Sequence, residues 1–151
     1  MTLDELKKIV AKELPVNKER LDTESLRGQE LYAKFLDYKT NFAFLLAKAN
    51  GDYKRLYREK WEYYGGKADA KVYATKPFDL KVLKTDLSVY IESDQEIIDA
   101  ENKIVYLEET VKYIDGVLKA INSRGWDIKN CLEAQKFEAG LMGWWLLGLK
   151  K

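Results

Sequence analysis

The feature that most constrains the fold is a run of apolar residues at seven-residue spacing in the C-terminal half. Its members are Ile97, Ile104, Val111 and Leu118. A second stripe beside it contains Leu107, Ile114 and Ile121. This pattern predicts a helix of about 29 residues whose broad apolar face packs lengthwise against another helix or another subunit. The capping box Ser93-x-x-Glu96 predicts its start, and Gly125 predicts its end.

The rest of the chain also shows mainly helical periodicity. Thr2-x-x-Glu5 predicts a capped first helix that ends before Pro15. Further helices are predicted at these positions: from Asp22 or Thr23 to Asn50-Gly51, at about 52–64 with Gly65-Gly66 as the stop, from Thr85 to Ile91, and at about 126–148. Alternating residues near 71–83 predict a small β-hairpin. The expected class is therefore mainly α, with a long C-terminal helix followed by a terminal helix.

The composition argues against catalysis and against a bound metal. The 151 residues include no His and one Cys, Cys131. Imidazole bases, His-paired nucleophiles and His-containing zinc sites are therefore excluded. The carboxylates of 92–101 fit the first turns and the solvated side of a helix, where the macrodipole favours them. We expect no enzyme activity, no metal and no cofactor.

The chain shows no signal for secretion or membrane insertion. Charged residues follow Met1 almost at once, so the start lacks the apolar region of a signal peptide. The longest uncharged run, Ala139–Leu149, is about half the roughly 20 residues of a transmembrane helix. A single cysteine without a partner fits a reducing compartment. We therefore expect a soluble cytoplasmic protein that does not contact a membrane.

A basic and aromatic segment in the middle of the chain is the candidate binding site. Residues 48–76 hold eight basic side chains against four acidic ones, whereas 86–115 hold nine acidic against two basic. Cations that follow phosphates and rings that stack on bases are typical of single-stranded nucleic acid binding. The candidate DNA-binding residues are Lys54, Arg55, Arg58, Lys60, Tyr63, Tyr64 and Lys67.

The same segment is equally consistent with an amphipathic helix whose aromatic residues are core and whose cations are solvated. A compromise places Tyr57 and Trp61 in the core, while Arg58, Lys60, Lys67 and Tyr64 face a ligand. Arg124 allows a similar choice, because it could cap a helix C-terminus or, as the less favoured alternative, contact DNA.

The apolar spacing and the C-terminal tryptophans predict self-association. Trp144 and Trp145 belong to a segment that is apolar on all sides and must be buried, more readily against a neighbouring subunit than in a membrane. The candidate oligomer interface consists of Ile97, Ile104, Val111, Leu118, Trp144 and Trp145.

Ordered motifs across residues 31–140 resemble the UvsY recombination-mediator family of tailed phages. The motifs are Leu31-Tyr32-x-Lys34-Phe35-Leu36, Arg58-x-Lys60-x-x-Tyr63-Tyr64-x-Gly66-Lys67-x-Asp69, Ser93-x-x-Glu96, Ala120-Ile121-x-Ser123-Arg124-Gly125-Trp126-x-Ile128-Lys129 and Phe137-Glu138-Ala139-Gly140. Each motif is weak alone, but their order and spacing are specific. The chain departs from the family pattern in continuing from Leu141 to Lys151.

The resemblance implies a function and a set of partners. UvsY-like proteins bind single-stranded DNA and help a RecA-like recombinase displace the phage single-strand-binding protein, working as rings of six or seven subunits. Arg58 and Lys60 match the family's pair of DNA-binding basic residues, and Gly65-Gly66-Lys67 matches its glycine-rich stretch. The resemblance implies a DNA-binding region at 1–84, an oligomerisation region at 85–151, and the cytoplasm of an infected bacterial host.

Two other functions remain open from the sequence. The acidic long helix and the balanced overall charge fit a helical scaffold or adaptor that binds only proteins. An RNA-binding protein would use the same basic and aromatic chemistry as a DNA-binding one.

Overall fold

In residues 1–149 the chain forms five helices and no β-strand. The computed structural model describes these residues, but not the side chains of 142–147 and 149. The helices are α1 (Leu3–Glu13), α2 (Leu21–Tyr64), α3 (Ala70–Thr75), α4 (Leu87–Glu92) and α5 (Gln95–Leu149). The predicted mainly helical class is confirmed. None of the helices in the described part is both long and apolar enough to cross a membrane.

Helix α1 begins with the predicted capping box. The Thr2 hydroxyl accepts a hydrogen bond from the Glu5 amide at 3.2 Å, and the Glu5 carboxylate accepts one from the Thr2 amide at 2.7 Å. Two amides that the first turn leaves without intrahelical partners are thereby satisfied. Pro15 follows the end of the helix, as predicted.

Helices α2 and α5 are longer than the sequence pattern indicates. Gly51 lies inside α2 and Gly125 lies inside α5, so the predicted ends at these glycines are wrong. A glycine within a helix costs only about 1 kcal/mol relative to alanine. Buried neighbours on both elements, Ala49 in α2 and Ile121 and Ile128 in α5, outweigh that cost by packing.

The cap of α5 is Asp94 rather than the predicted Ser93. The Asp94 carboxylate accepts a hydrogen bond from the Glu96 amide at 2.9 Å, and its carbonyl accepts one from the Ile98 amide at 3.0 Å. The Ser93 hydroxyl instead donates to the carbonyls of Val89 and Tyr90 at the end of α4. Asp94 performs the cap because an aspartate is an equally good N-cap residue one position nearer the helix.

The predicted β-hairpin near 71–83 is wrong. Residues 70–75 form α3, which Asp69 caps by accepting a hydrogen bond from the Lys71 amide. The alternation that suggested a strand does not produce one apolar face, because Val82 packs against the core while Leu80 is exposed. A hairpin without a third strand or a packed face is only marginally stable.

The chain divides into two compact units, and the first combines an N-terminal segment with part of α5. Unit 1 comprises Met1–Thr40 and the part of α5 from Lys112 onward. Its core is formed by side chains from α1, α2 and α5, among them Leu6, Leu31, Phe35, Ile114, Val117 and Ile128. Leu118 of the seven-residue repeat is buried here with Ile114 and Ile121 of the neighbouring stripe, whereas the other members of the repeat, Ile97, Ile104 and Val111, belong to unit 2.

A buried arginine ties the helices of unit 1 together. Arg124 is 5% exposed and pairs with the Glu24 carboxylate. Its guanidinium also donates to the Leu14 carbonyl at 3.0 Å and to the Glu24 carbonyl at 2.9 Å. Desolvation lowers the pKa of Arg124. Neither sequence interpretation of this residue is correct, since it caps no helix end of its own and is too buried to reach DNA.

Unit 2 comprises residues Asn41–Val111 and contains the candidate DNA-binding segment. Leu87 and Ile91 of α4 and Ile97 of α5 form its core. The partly buried hydrophobic residues packed against this core are Tyr53, Leu56, Tyr57, Tyr64 and Val82. The core thus joins the end of α2 to α4 and to the start of α5. The predicted boundary between residues 84 and 85 separates DNA binding from oligomerisation rather than two packed units, and it stays a prediction.

The residues predicted for the oligomer interface have different environments. Ile97 and Leu118 are buried within their own units, while Ile104 and Val111 are partly exposed. The side chains of Trp144 and Trp145 lie outside the described part of the structure. Ile97 and Leu118 are therefore already covered within one chain.

Candidate nucleic-acid interface

The last three turns of α2 present a basic stripe to solvent. Lys54, Arg58 and Trp61 are spaced by four and three residues, which places them on one helical face. Lys54 and Arg55 are exposed, and Arg58 is 74% exposed. Acidic neighbours approach only loosely, Asp52 at 3.7 Å from Arg55 and Glu62 at 4.0 Å from Arg58. Such exposed pairs contribute about 0–1 kcal/mol, so these cations are available to an incoming phosphate.

Lys60 projects from the opposite side of α2 and is held inside unit 2. Its side chain is only 14% exposed. Its ammonium lies 3.2 Å from the Asp94 carboxylate and 3.3 Å from the Glu96 carboxylate. Asp94 immediately precedes α5, and Glu96 belongs to its first turn. The hydroxyl of Tyr64 donates to the same Asp94 carboxylate at 2.6 Å. We call Lys60, Tyr64, Asp94 and Glu96 the clamp.

Contacts within the clamp shift the pKa values of Lys60, Asp94 and Tyr64. Burial alone would lower the pKa of Lys60, but the hydrogen bonds to Asp94 and Glu96 outweigh it and raise that pKa. Burial alone would raise the pKa of Asp94, but the hydrogen bonds from Tyr64 and Lys60 lower it. Burial and the bond to Asp94 raise the pKa of Tyr64 well above its ordinary value. The clamp is therefore an ion pair with a neutral phenol at neutral pH.

The paired tyrosines belong to an aromatic cluster. Tyr63 stacks on Tyr73 with ring centroids 5.5 Å apart, and its hydroxyl donates to the Lys76 carbonyl at 3.0 Å. Tyr64 meets Phe78 edge to face at 5.0 Å and lies 5.9 Å from Tyr90. These contacts pack Phe78, in the irregular chain after α3, against the end of α2.

A Schellman motif at the end of α2 returns Lys67 toward the helix. The Lys67 amide donates to the Glu62 carbonyl at 2.8 Å, and the Gly66 amide donates to the Tyr63 carbonyl at 3.3 Å. Gly66 has a φ of +75°, a conformation that costs other L-residues about 1–2 kcal/mol. A Cβ at Gly65 would lie 2.8 Å from the Trp61 carbonyl. The predicted stop at this glycine pair is confirmed.

The motif places the Lys67 ammonium 4.7 Å from the centroid of the Trp61 ring. Trp61 is 37% exposed, so its predicted place in the core is wrong, whereas Tyr57 does pack against the core. The spacing of Trp61 from Lys54 and Arg58 is the sequence signal that could have placed it on the basic stripe.

An acidic cavity lies on the other side of this helix end. Its volume is about 340 Å³, and its lining includes the carboxylates of Glu59, Glu62, Asp69 and Glu96 beside Lys60 and Lys76. The excess of carboxylates opposes the entry of phosphate. Within the described residues no three His, Cys, Asp or Glu side chains converge closely enough to hold a metal ion. The basic stripe is therefore the part of this helix end that suits an anion.

Comparison with known proteins agrees with the resemblance of the motifs. Residues 9–141 match the family described as "Recombination, repair and ssDNA binding protein UvsY". The chain belongs to the UvsY family. It is 24% identical over 140 residues to the recombination protein uvsY of Enterobacteria phage T4, covering 93% of this chain and 99% of that protein.

Solved structures of the same phage protein share the fold. One crystal form of the bacteriophage T4 recombination mediator protein UvsY aligns with a TM-score of 0.80 at 22% identity, covering 92% of this chain and 98% of that one. A second form aligns with a TM-score of 0.80 at 20% identity, covering 91% and 99%. Membership in the family thus rests on sequence, and the common fold on structure.

The structure separates the predicted site residues into two groups. The cations Lys54, Arg55 and Arg58 are exposed on the end of α2, and the exposed Lys67 lies beside the Trp61 ring. The remaining three candidates, Lys60, Tyr63 and Tyr64, make the internal contacts of the clamp and the aromatic cluster. A direct contact of any of these residues with DNA stays a prediction.

Proposed function

We propose that this chain binds single-stranded DNA through the basic stripe of α2 and acts as a recombination mediator. In this role it loads a RecA-like recombinase onto strands covered by the phage single-strand-binding protein, in the cytoplasm of an infected host. The observation that carries the proposal is the set of exposed cations Lys54, Arg55 and Arg58 at the end of α2, followed by Lys67 beside the half-exposed Trp61, in a member of a single-strand-binding family.

The physical chemistry of the stripe supports binding without sequence preference. Cations on long flexible stems contact phosphates in any sequence, and their affinity comes from released counterions. A ring between them adds stacking to unpaired bases, which every base allows. The role requires binding and positioning of partners rather than a chemical step.

Assembly into a ring of six or seven subunits is the second part of the proposal. The segment of α5 after Ile128 extends beyond the core of unit 1, since the described side chains from 129 to 141 are exposed apart from the partly exposed Cys131. Phe137 and Leu141 share one face of this segment and are exposed. A second copy of the chain is the occupant we propose for this face. Repeated basic stripes in one assembly would raise the affinity for DNA by avidity.

The DNA-binding proposal is tested with the double variant Arg55→Ala and Arg58→Ala. We expect weaker binding of labelled oligothymidylate in fluorescence anisotropy. The slope of log affinity against log salt should become shallower by about 0.7 for each phosphate that the variant no longer neutralises. The matched control is Lys18→Ala with Arg20→Ala, two exposed cations in the connection between α1 and α2.

An unchanged slope in the Arg55 and Arg58 variant, with the assembly intact, would contradict the site. Failure of the wild-type protein to retain oligothymidylate at about 50 mM salt, where phosphate contacts are strong, would contradict DNA binding itself and favour the adaptor. Competition with oligouridylate distinguishes the RNA-binding alternative.

A further inference from the structure

We propose that Trp61, rather than the paired tyrosines, is the residue on which a base of single-stranded DNA stacks. This inference rests on the proposed function and identifies which ring contacts the bases. The geometry that carries it is the position of Trp61 on the same face as Lys54 and Arg58, with the Lys67 ammonium beside its ring.

The tyrosines are occupied by contacts within unit 2. Tyr63 is stacked on Tyr73, and its hydroxyl is bonded to the Lys76 carbonyl. Tyr64 has its hydroxyl on Asp94 and its ring against Phe78. A base that stacked on either ring would have to separate contacts that hold the end of α2 to α4 and α5. Substitution of these tyrosines would therefore affect the stability of the fold first and the binding of DNA only as a consequence.

Trp61 meets the requirements that the tyrosines do not. Its side chain is half-exposed, and it lies one turn from Arg58 along the exposed face. The Schellman motif holds Lys67 against the ring, so a cation for the phosphate and a surface for the base occur at one place. Single-strand-binding surfaces combine these two elements. A stacked base and a neighbouring phosphate on the same nucleotide could be bound together.

The chain offers a matched control in unit 1. Trp126 is 66% exposed, and the Lys129 ammonium lies 5.2 Å from the centroid of its ring. This pair has the same chemistry but lacks the neighbouring arginines of the basic stripe. Removal of the Trp126 ring should therefore leave the contribution of bases to DNA affinity unchanged.

The experiment compares oligothymidylate with an oligonucleotide of equal length in which abasic sugars replace the nucleosides. Both probes carry the same phosphates, so the ratio of their affinities reports stacking alone. We expect wild type to prefer the thymidylate by about 5- to 150-fold for each stacked base. The Trp61→Ala variant should bring that ratio close to one, Trp61→Phe should keep part of it, and Trp126→Ala should keep all of it.

The other outcomes contradict either the stacking role of Trp61 or the proposed function. The stacking role is overturned if Trp61→Ala has the same ratio of affinities for the two probes as the wild-type protein. It is also overturned if the wild-type protein shows no preference for the probe that carries bases. Equal weakening for both probes shows that Trp61 acts only on the fold and also overturns it. Absence of wild-type binding to either probe contradicts the proposed function instead.

If Trp61→Ala does not fold, the quenching of tryptophan fluorescence by oligothymidylate decides the question. Trp61→Phe should lose the quenching that Trp126→Phe retains. Retention in Trp61→Phe would overturn the proposal.

Discussion

Lys60 shows how a residue with the chemistry of a binding site can have a structural role. Its charge lies between two carboxylates and is mostly shielded from solvent. Arg58, two residues earlier, projects into solvent because about 200° of helical rotation separates the two side chains at about 100° per residue. The two members of the predicted basic pair therefore have different surroundings, although the sequence presents them as equivalents.

We predict that Asp94→Asn lowers the free energy of unfolding by about 1–3 kcal/mol at neutral pH, because it removes the charge that Lys60 and Tyr64 share. The folded-state pKa of Asp94 is lowered from 3.8, so its contribution is present above that value and is lost as the pH falls below it. Urea unfolding from about pH 7 to about pH 2 measures the effect.

The variant should therefore lose part of the acid dependence of stability that the wild-type protein shows below about pH 4. Glu108→Gln, which alters an exposed carboxylate on the same helix, serves as the control and should change stability by less than about 0.5 kcal/mol. Equal effects of the two substitutions would contradict the importance of the clamp.

At the scale of elements, the long helices α2 and α5 continue through residues that usually end helices. Gly51 and Gly125 both have helical neighbours, and a Cβ built on either one meets no atom within 4 Å. Neither glycine has the positive φ that Gly66 adopts. The backbone at these two positions is thus that of an ordinary helical residue with space for a side chain.

Substitution of either glycine with alanine should stabilise the protein. We expect Gly51→Ala and Gly125→Ala each to raise the free energy of unfolding by about 0.5–1 kcal/mol, because alanine loses less backbone entropy on folding. Gly66→Ala is the contrasting control and should destabilise the protein, since the left-handed conformation disfavours a Cβ. Thermal unfolding followed by circular dichroism measures all three. Destabilisation by the first two would show that these helices break at the glycines.

At the scale of the whole molecule, the exposed apolar face of α5 is a surface whose burial against another copy would be favourable. Phe137 and Leu141 lie four residues apart, a spacing that keeps them on one side of the helix. Large apolar side chains gathered on an exposed face mark an interaction site. This face lies in the C-terminal part that the resemblance assigns to assembly, although Phe137 and Leu141 are not among the predicted interface residues.

We predict that Phe137→Asp together with Leu141→Asp dissociates the proposed assembly, because burial of two charges without partners in an apolar interface is unfavourable. Light scattering at micromolar concentration should show the monomer mass. Gln135→Asp adds a charge to the same helix and should leave the assembly intact. An unchanged mass in the double variant would place the interface elsewhere.

The sequence alone determined the features that depend on local chemistry. The capping box of α1, the stop at Gly65-Gly66, the mainly helical class and the family all depend on residues close together in the chain or on motifs in a fixed order. The exclusion of His-based chemistry needs only the composition. Such features can be predicted because the interactions that produce them span a few residues.

Tertiary structure decided the continuity of α2 and α5 and the direction of each side chain in the basic segment. Packing over many residues outweighs the small cost of a helical glycine, and the partners that hold Lys60 and Tyr64 lie about thirty residues away along the chain. Arg124 meets Glu24 across a hundred residues. No local pattern contains these partners, so the sequence identified the segment that carries the charge, while only the fold decided which of its residues face solvent.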